Sequence, residues 1–320
     1  MNTTFSAFCY AFCLPKFREG LSRLGCTFTT AIFVAVLGST VSHAKLVEEV
    51  IKVPVVVKNN FGKEVAQDIV VTVFYESTAP KPYPVLVLGH GRAADAASRT
   101  AMGRVKYSAN SRWLTQLGFM VAVPTRVGYG ESGGEDVEDS GDCKRKNYPP
   151  SYVAAAEQTI KVLEAVRQRS DTAKDRAIIM GQSFGGATAI TTAALNPPGV
   201  QATINFAGGG GGNPDTQPQN PCAPSMLESM FGNYGKTART PTLWVYTEND
   251  MYFGPKFPKE WFDAFKAAGG VGEYVRFPAN GKNGHGLFTQ DPDVWKPRVL
   301  EFLKANGYPA LVAPEAPAKP

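Results

Sequence analysis

Short runs of apolar and β-branched residues recur along the chain at 53–57, 69–74, 85–88, 120–123, 177–180, 202–206, 242–246 and 273–277. Each has the length of a strand. Between the later runs, apolar positions recur with helical spacing at 151–168, 184–195, 259–268 and 293–305. Strand and helix in alternation predict an α/β fold with a mostly parallel central sheet and helices on both faces. Only the turn residues Asn59-Asn60-Phe61-Gly62 separate the first two strands, so the sheet is expected to open with an antiparallel hairpin. No internal repeat and no linker rich in Pro, Gly or Ser divides residues 45–308, which reads as one domain. Residues 309–320 are Pro/Ala-rich without apolar periodicity and read as a disordered tail.

One apolar run stands outside this pattern. Ala31-Ile32-Phe33-Val34-Ala35-Val36-Leu37 follows Lys16, Arg18 and Arg23 and leads into Ser42-His43-Ala44, the order of a secretory signal. It is much shorter than the roughly 20 residues that a hydrocarbon core requires. The uncleaved anchor is therefore the lesser reading, and a lipid anchor at Cys26 fits badly because the apolar run follows the cysteine. Residues 1–44 are expected to be a signal peptide cleaved after Ala44, giving a periplasmic or secreted protein with no stable membrane insertion. The long segment ahead of the apolar run leaves open a translation start downstream of Met1. Cleavage would remove Cys9, Cys13 and Cys26 and leave Cys143 and Cys222 in an oxidising compartment. A disulfide between them is the natural pairing, with two buried free thiols as the alternative.

Composition narrows the picture little further. Of 320 residues, 43% are hydrophobic and 19% charged, as in a globular chain. The formal charge of +5 comes from scattered basic residues rather than a stripe, and this argues against a nucleic-acid partner. The acidic loop of Glu135, Asp136, Glu138, Asp139 and Asp142 lacks the ligand spacing of a calcium loop and reads as solvated. The run at 208–212 reads as a flexible segment, because no Lys-Ser/Thr pair follows to make it a phosphate cradle. Trp113, Trp244, Trp261 and Trp295 read as packing residues.

The strongest chemical signal is Gly181-Gln182-Ser183-Phe184-Gly185-Gly186, directly after the strand at 177–180 and opening into the helix at 184–195. Glycines on both sides of the serine allow a sharp strand-to-helix turn that lifts the hydroxyl clear of the sheet. The turn also sets Ser183 at a helix N-terminus, where free N–H groups favour a developing oxyanion. Serine needs a base to take its proton. Of three histidines, His43 leaves with the signal and His90 lies upstream, so His285, on a loop before the last helix, is the candidate base. The orienting carboxylate is expected after a late strand, between serine and histidine, where Asp250 fits and Glu248 is its rival. The oxyanion donors are expected to be the N–H groups of Phe184 and Arg92, the latter on the loop Leu88-Gly89-His90-Gly91-Arg92. His90 reads as a hydrogen-bonder that fixes that loop.

Gly89-His90-Gly91, Arg126-Val127-Gly128-Tyr129-Gly130-Glu131-Ser132-Gly133, the serine turn, Asp250 and His285 occur in the order seen in the α/β-hydrolase superfamily. Residues 47–306 resemble its dienelactone-hydrolase-like branch, whose true members carry cysteine at the nucleophile position. The doubled glycine Gly185-Gly186 also resembles prolyl-oligopeptidase-type peptidases, but no propeller domain precedes it. The resemblance implies an exported serine hydrolase of a small carboxylic ester, acting through an acyl-enzyme without cofactor or metal. A peptidase or amidase, or an inactive binding protein on the same fold, are the alternatives. Residues 207–240 are the only room for a lid, too short for a large cap domain. In a parallel sheet the loops bearing Cys143 and Cys222 both leave carboxyl ends of strands, so the expected bridge lies on the active-site rim.

Overall fold

The computed structural model describes residues 45–308 apart from residue 94. The expected signal peptide at 1–44 and tail at 309–320 lie outside the described residues. The eight strands are β1 (Leu46–Lys58), β2 (Glu64–Glu76), β3 (Tyr83–Gly89), β4 (Met120–Thr125), β5 (Thr172–Gln182), β6 (Val200–Phe206), β7 (Thr242–Thr247) and β8 (Gly272–Phe277). Each contains one of the eight apolar runs. The helices are α1 (Ala96–Ala101), α2 (Ser108–Gln116), α3 (Tyr148–Arg167), α4 (Phe184–Ala194), α5 (Pro224–Thr237), α6 (Phe257–Ala267), α7 (Leu287–Gln290) and α8 (Pro292–Ala305). Among the described residues, none is long and apolar enough to cross a membrane.

The strands form one sheet in the order β1-β2-β4-β3-β5-β6-β7-β8. β2 runs antiparallel to β1 and β4, and all the other pairs are parallel, so the expected hairpin edge is present. This is the α/β-hydrolase fold. Period-two alternation divides the core between the two faces. On β5, Ile178 and Met180 pack in one cluster with Leu114 of α2 and Trp295, Val299 and Phe302 of α8. Ala177 and Ile179 point the other way, to Val162, Leu163 and Val166 of α3.

Three differences from the sequence reading have physical causes. β1 begins seven residues before the run at 53–57, because Glu48, Glu49 and Lys52 interrupt the apolar run while the backbone still pairs with β2 in full register. α2 was not visible as a helix, since its buried positions include Asn110, Ser111 and Thr115 and blur the apolar period. Within residues 207–240, α5 is not part of a lid: it packs Leu227, Met230 and Phe231 against Trp244, Trp261 and Phe265. The close approach of α5 to α6 depends on Gly235, where a Cβ would stand 2.1 Å from the Phe265 carbonyl oxygen.

Candidate active site

The carboxyl ends of β3, β5, β7 and the loop after β8 converge on one point. At the end of β5 the chain reverses into α4 through Ser183, whose φ of +57° and ψ of −123° lie in a region that non-glycine residues rarely occupy. Glycines make the turn possible by close packing. A Cβ on Gly181 would stand 2.1 Å from the Gly185 carbonyl oxygen, and one on Gly185 would stand 2.4 Å from that of Gly89. The Ser183 N–H donates to the Phe206 carbonyl at 2.8 Å, tying the turn to β6. No acceptor among the described residues meets the Phe184 N–H.

Ser183 Oγ lies 2.9 Å from His285 Nε2, and His285 Nδ1 lies 2.9 Å from Asp250 Oδ2. The carboxylate is an obligate acceptor, so Nδ1–H donates to it and Nε2 accepts from the serine hydroxyl. The other Asp250 oxygen accepts from the N–H groups of Tyr252 and Phe253 at 2.8 and 3.1 Å. Asp250 is fully buried, whereas Glu248 is exposed. Two asparagines that the sequence did not signal hold the aspartate and histidine loops together. Asn283 Oδ1 accepts from Met251 N–H and His285 N–H at 3.0 and 3.1 Å, and Asn249 is bonded through both backbone and side chain to residues 280, 281 and 284. The Tyr252 ring stacks on the imidazole with centroids 4.1 Å apart.

The loop after β3 presses against Ser183. A Cβ on Gly91 would stand 3.2 Å from Ser183 Cβ, and Arg92 follows immediately. Beneath this loop lies Arg126, 1% exposed, paired with the fully buried Glu138 through Nε to Oε1 and through Nη2 to Oε2 at 3.2 Å. Burial alone would lower the Arg126 pKa, and the Glu138 carboxylate more than restores it. Arg126 Nη1 donates to the His90 carbonyl at 2.7 Å and Nη2 reaches the Gly91 carbonyl at 3.4 Å, while the guanidinium lies 5.4 Å from the Phe184 ring centre. His90 completes the scaffold: Nδ1–H donates to the Gly91 carbonyl at 2.6 Å and Nε2 accepts from Arg126 N–H at 3.2 Å. Burial first, and then the Arg126 charge, hold its imidazole well below the ordinary 6.5, so it stays neutral.

The acidic loop is thus not simply solvated. Glu138 answers Arg126, Asp136 makes a two-pronged pair with Arg92 at 2.7 and 2.6 Å, and only Glu135 and Asp142 pair at the surface, with Lys63 and Arg145. Among the described residues no group of His, Cys, Asp and Glu is placed to hold a metal ion.

A cavity of about 630 Å³ opens over Ser183, walled by Arg92, Lys146, Tyr148, Tyr152, Phe184, Tyr252, Phe253 and residues 209–212. Cys143 and Cys222 are joined by a disulfide on its wall. The glycine run is packed tightly rather than loose. A Cβ on Gly209 would stand 2.7 Å from the Trp261 ring, and one on Gly211 would stand 2.1 Å from the Tyr148 hydroxyl. That hydroxyl donates to the Cys222 carbonyl at 2.5 Å, so the bridge and the aromatic wall are one unit.

Removing Glu138 leaves the Arg126 charge buried and unpaired, and Glu138→Ala is expected to cost about 3–5 kcal/mol in urea unfolding. Glu135→Gln, at an exposed pair, should leave the midpoint essentially unchanged; equal effects would refute the buried scaffold. A second expectation concerns pH. An unfolded-state imidazole takes up a proton below the ordinary 6.5 while folded His90 resists it, so the unfolded chain binds more protons there. The His90 contribution is intact above pH 6.5 and is lost as pH falls toward the depressed folded value. Stability against urea should fall between pH 7 and 5 more steeply in the wild type than in His90→Asn, and equal slopes would contradict it.

A family model described as serine aminopeptidase, S33 (Hydrolase_4), matches residues 80–252, more than half of the chain. No curated protein matches significantly. Among solved structures, an acetyl xylan esterase from Paenibacillus sp. R4 is 17% identical, with 82% of this chain and 89% of that chain covered and a TM-score of 0.54. A protein from Klebsiella pneumoniae, provisionally described as a dienelactone hydrolase, is 15% identical over 80% of this chain and 98% of that chain, with a TM-score of 0.51. A puromycin-hydrolysing peptidase from Mycobacterium tuberculosis is 14% identical, with 81% of this chain but 40% of that chain covered and a TM-score of 0.52. At these identities the structures speak for the fold, and the family match for membership. The chain belongs to the serine aminopeptidase S33 family, within the α/β-hydrolase superfamily.

Proposed function

We propose that the protein is an exported serine hydrolase of carboxylic esters, with Ser183 as nucleophile, His285 as general base and then acid, and Asp250 as the carboxylate that orients the imidazole. The observation that carries this reading is the continuous relay from Ser183 Oγ through His285 to Asp250, at 2.9 Å for each step, opening on the cavity. In the first half-reaction His285 Nε2 takes the hydroxyl proton as Ser183 Oγ bonds to the ester carbonyl carbon. The oxyanion is received by the N–H groups of Phe184 and Arg92. Collapse expels the alcohol, which takes the proton back from His285, and a water activated in the same way frees the acid. Buried Asp250 stabilises the imidazolium in both halves.

The family description and one structural neighbour raise a peptidase reading. An aminopeptidase must hold a substrate ammonium, which calls for carboxylates beside the nucleophile. Of the two cations on this cavity Arg92 is already paired with Asp136, and the one lining carboxylate, Asp139, is exposed and shares the cavity with Lys146, so among the described residues no buried carboxylate lines it to hold an ammonium. That balance favours the ester. The disulfide is in keeping with export, because such bridges persist in oxidising compartments.

A fluorophosphonate, which needs an activated serine, should label Ser183 and nothing else, and Ser183→Ala should lower ester kcat/KM by roughly 10³-fold or more. His285→Ala should behave likewise, Asp250→Asn should be severe and Glu248→Gln mild. Label on another residue, or reversed effects of the two carboxylate variants, would refute the assignment. An ester and amide panel separates the two enzyme readings, with faster amide cleavage deciding for the peptidase. N-terminal sequencing of the exported protein should begin at Lys45, and an intact Met1 terminus would contradict the export half.

A further inference from the structure

Ser183 is not the only strained residue at the site. Tyr107, directly before α2, has φ +46° and ψ +48°, a left-handed conformation that a bulky side chain rarely adopts. Its carbonyl accepts from the Ser111 N–H at 2.8 Å and so opens the helix. Strain of this kind persists only where the fold fixes it, and it gathers at functional sites. In this conformation the phenol hydroxyl donates to Gln182 Oε1 at 2.9 Å. Gln182 immediately precedes Ser183, and its Nε2 donates to the His285 carbonyl at 3.4 Å. That carbonyl can be met only by the amide N–H, so Oε1 is left for the phenol and the amide has one orientation.

The contacts of this pair reach both loops that flank Ser183. The Tyr107 ring meets the Phe288 ring edge to face with centroids 5.3 Å apart, and buried Asn110 of α2 donates to the Phe288 carbonyl at 2.7 Å. Phe288 closely follows His285 in the chain. On the other side, a Cβ on Gly91 would stand 3.6 Å from Gln182 Oε1. Burial pushes the Tyr107 phenol up to about 12 against the opposing Gly91 N–H and Arg126 charge, so it remains a neutral donor at ordinary pH. Asn249 and Asn283 tie the His285 loop to that of Asp250, whereas Tyr107, Asn110 and Gln182 tie it to α2 and the serine turn. Tyr107 and Gln182 are not among the residues that line the cavity.

We propose that Tyr107 and Gln182 are positioning residues for the reaction at Ser183, acting in series to fix where the His285 backbone, and with it the imidazole, stands relative to the serine hydroxyl. This rests on the hydrolase reading above. Neither residue touches substrate or exchanges a proton with it. Their effect is on the geometry of the proton transfer between Ser183 and His285, where a small misplacement is costly.

Two variants test this. Tyr107→Phe keeps the ring and loses only the hydroxyl, and Gln182→Met keeps the length and loses both amide bonds. Each should be fully folded under assay conditions, by urea unfolding, and each should lower the rate of fluorophosphonate labelling at Ser183 and the kcat for 4-nitrophenyl acetate about tenfold. KM should hold within about twofold, because acylation and deacylation use the same imidazole and the cavity lining is untouched. The decisive result is non-additivity: the double variant should lose about tenfold in all, where independent residues would lose about a hundredfold. Additive losses, a raised KM with kcat unchanged, or labelling as fast as the wild type in either single variant overturns the positioning role. If Gln182→Met does not fold, the labelling rate, kcat and KM of Tyr107→Phe decide by themselves. A wild type in which Ser183 takes no label sinks the hydrolase reading, and the positioning role falls with it. Amide cleavage faster than ester cleavage, with the same non-additive losses, sinks the ester reading alone.

Discussion

The site depends on one backbone constraint, the strained turn at Ser183. A non-glycine residue at φ +57° and ψ −123° costs on the order of 1–3 kcal/mol and persists only where its surroundings over-determine it. Here three chain segments do so. The ends of β3 and β5 and the start of α4 meet so closely that a methyl group on Gly181 would overlap the Gly185 carbonyl oxygen, and one on Gly185 that of Gly89. The same contact fixes the separation between Ser183 and the loop after β3, and hence where an oxyanion would stand. The Ser183 hydroxyl would not meet the His285 imidazole if this turn relaxed.

A buried charge pair carries the other half of the arrangement. Arg126 and Glu138 lie beneath the loop after β3, and Arg126 supplies donors to two successive carbonyls of that loop while its guanidinium lies over the Phe184 ring. An ion pair in such a place is weak evidence for stability, since apolar packing often does as well. What apolar side chains do not provide is a set of fixed donors for the carbonyls of His90 and Gly91, which would otherwise be free to rotate the following amide away from the serine. Neutral His90 closes the same network from the other side. The fold itself therefore holds the loop in place, as the proposed stabilisation of an oxyanion there would require.

Much of this was legible in the sequence, because the strands, the serine turn and the late histidine are local patterns. Eight apolar runs correspond to eight strands, and His285 lies within hydrogen-bond reach of both Ser183 and Asp250. What escaped depends on partners distant in sequence. The acidic loop looked solvated because nothing near Glu138 shows that Arg126 comes to it from the end of β4. The run at 208–212 looked flexible because its tight packing involves Tyr148, Tyr152 and Trp261 from α3 and α6. Asn249 and Asn283, which lock the aspartate and histidine loops, are single residues with no motif around them. α5 was hidden by Gly232 and Gly235 within its own span, although Leu227, Met230 and Phe231 fall on one helical face.

The central claim is that Ser183 forms a covalent acyl intermediate. Its most direct test is mass spectrometry of the protein acid-quenched during turnover of a slowly deacylated ester. The account predicts an added acyl mass on the peptide containing Ser183, absent in Ser183→Ala. Steady ester turnover with the acyl group on another residue would contradict it.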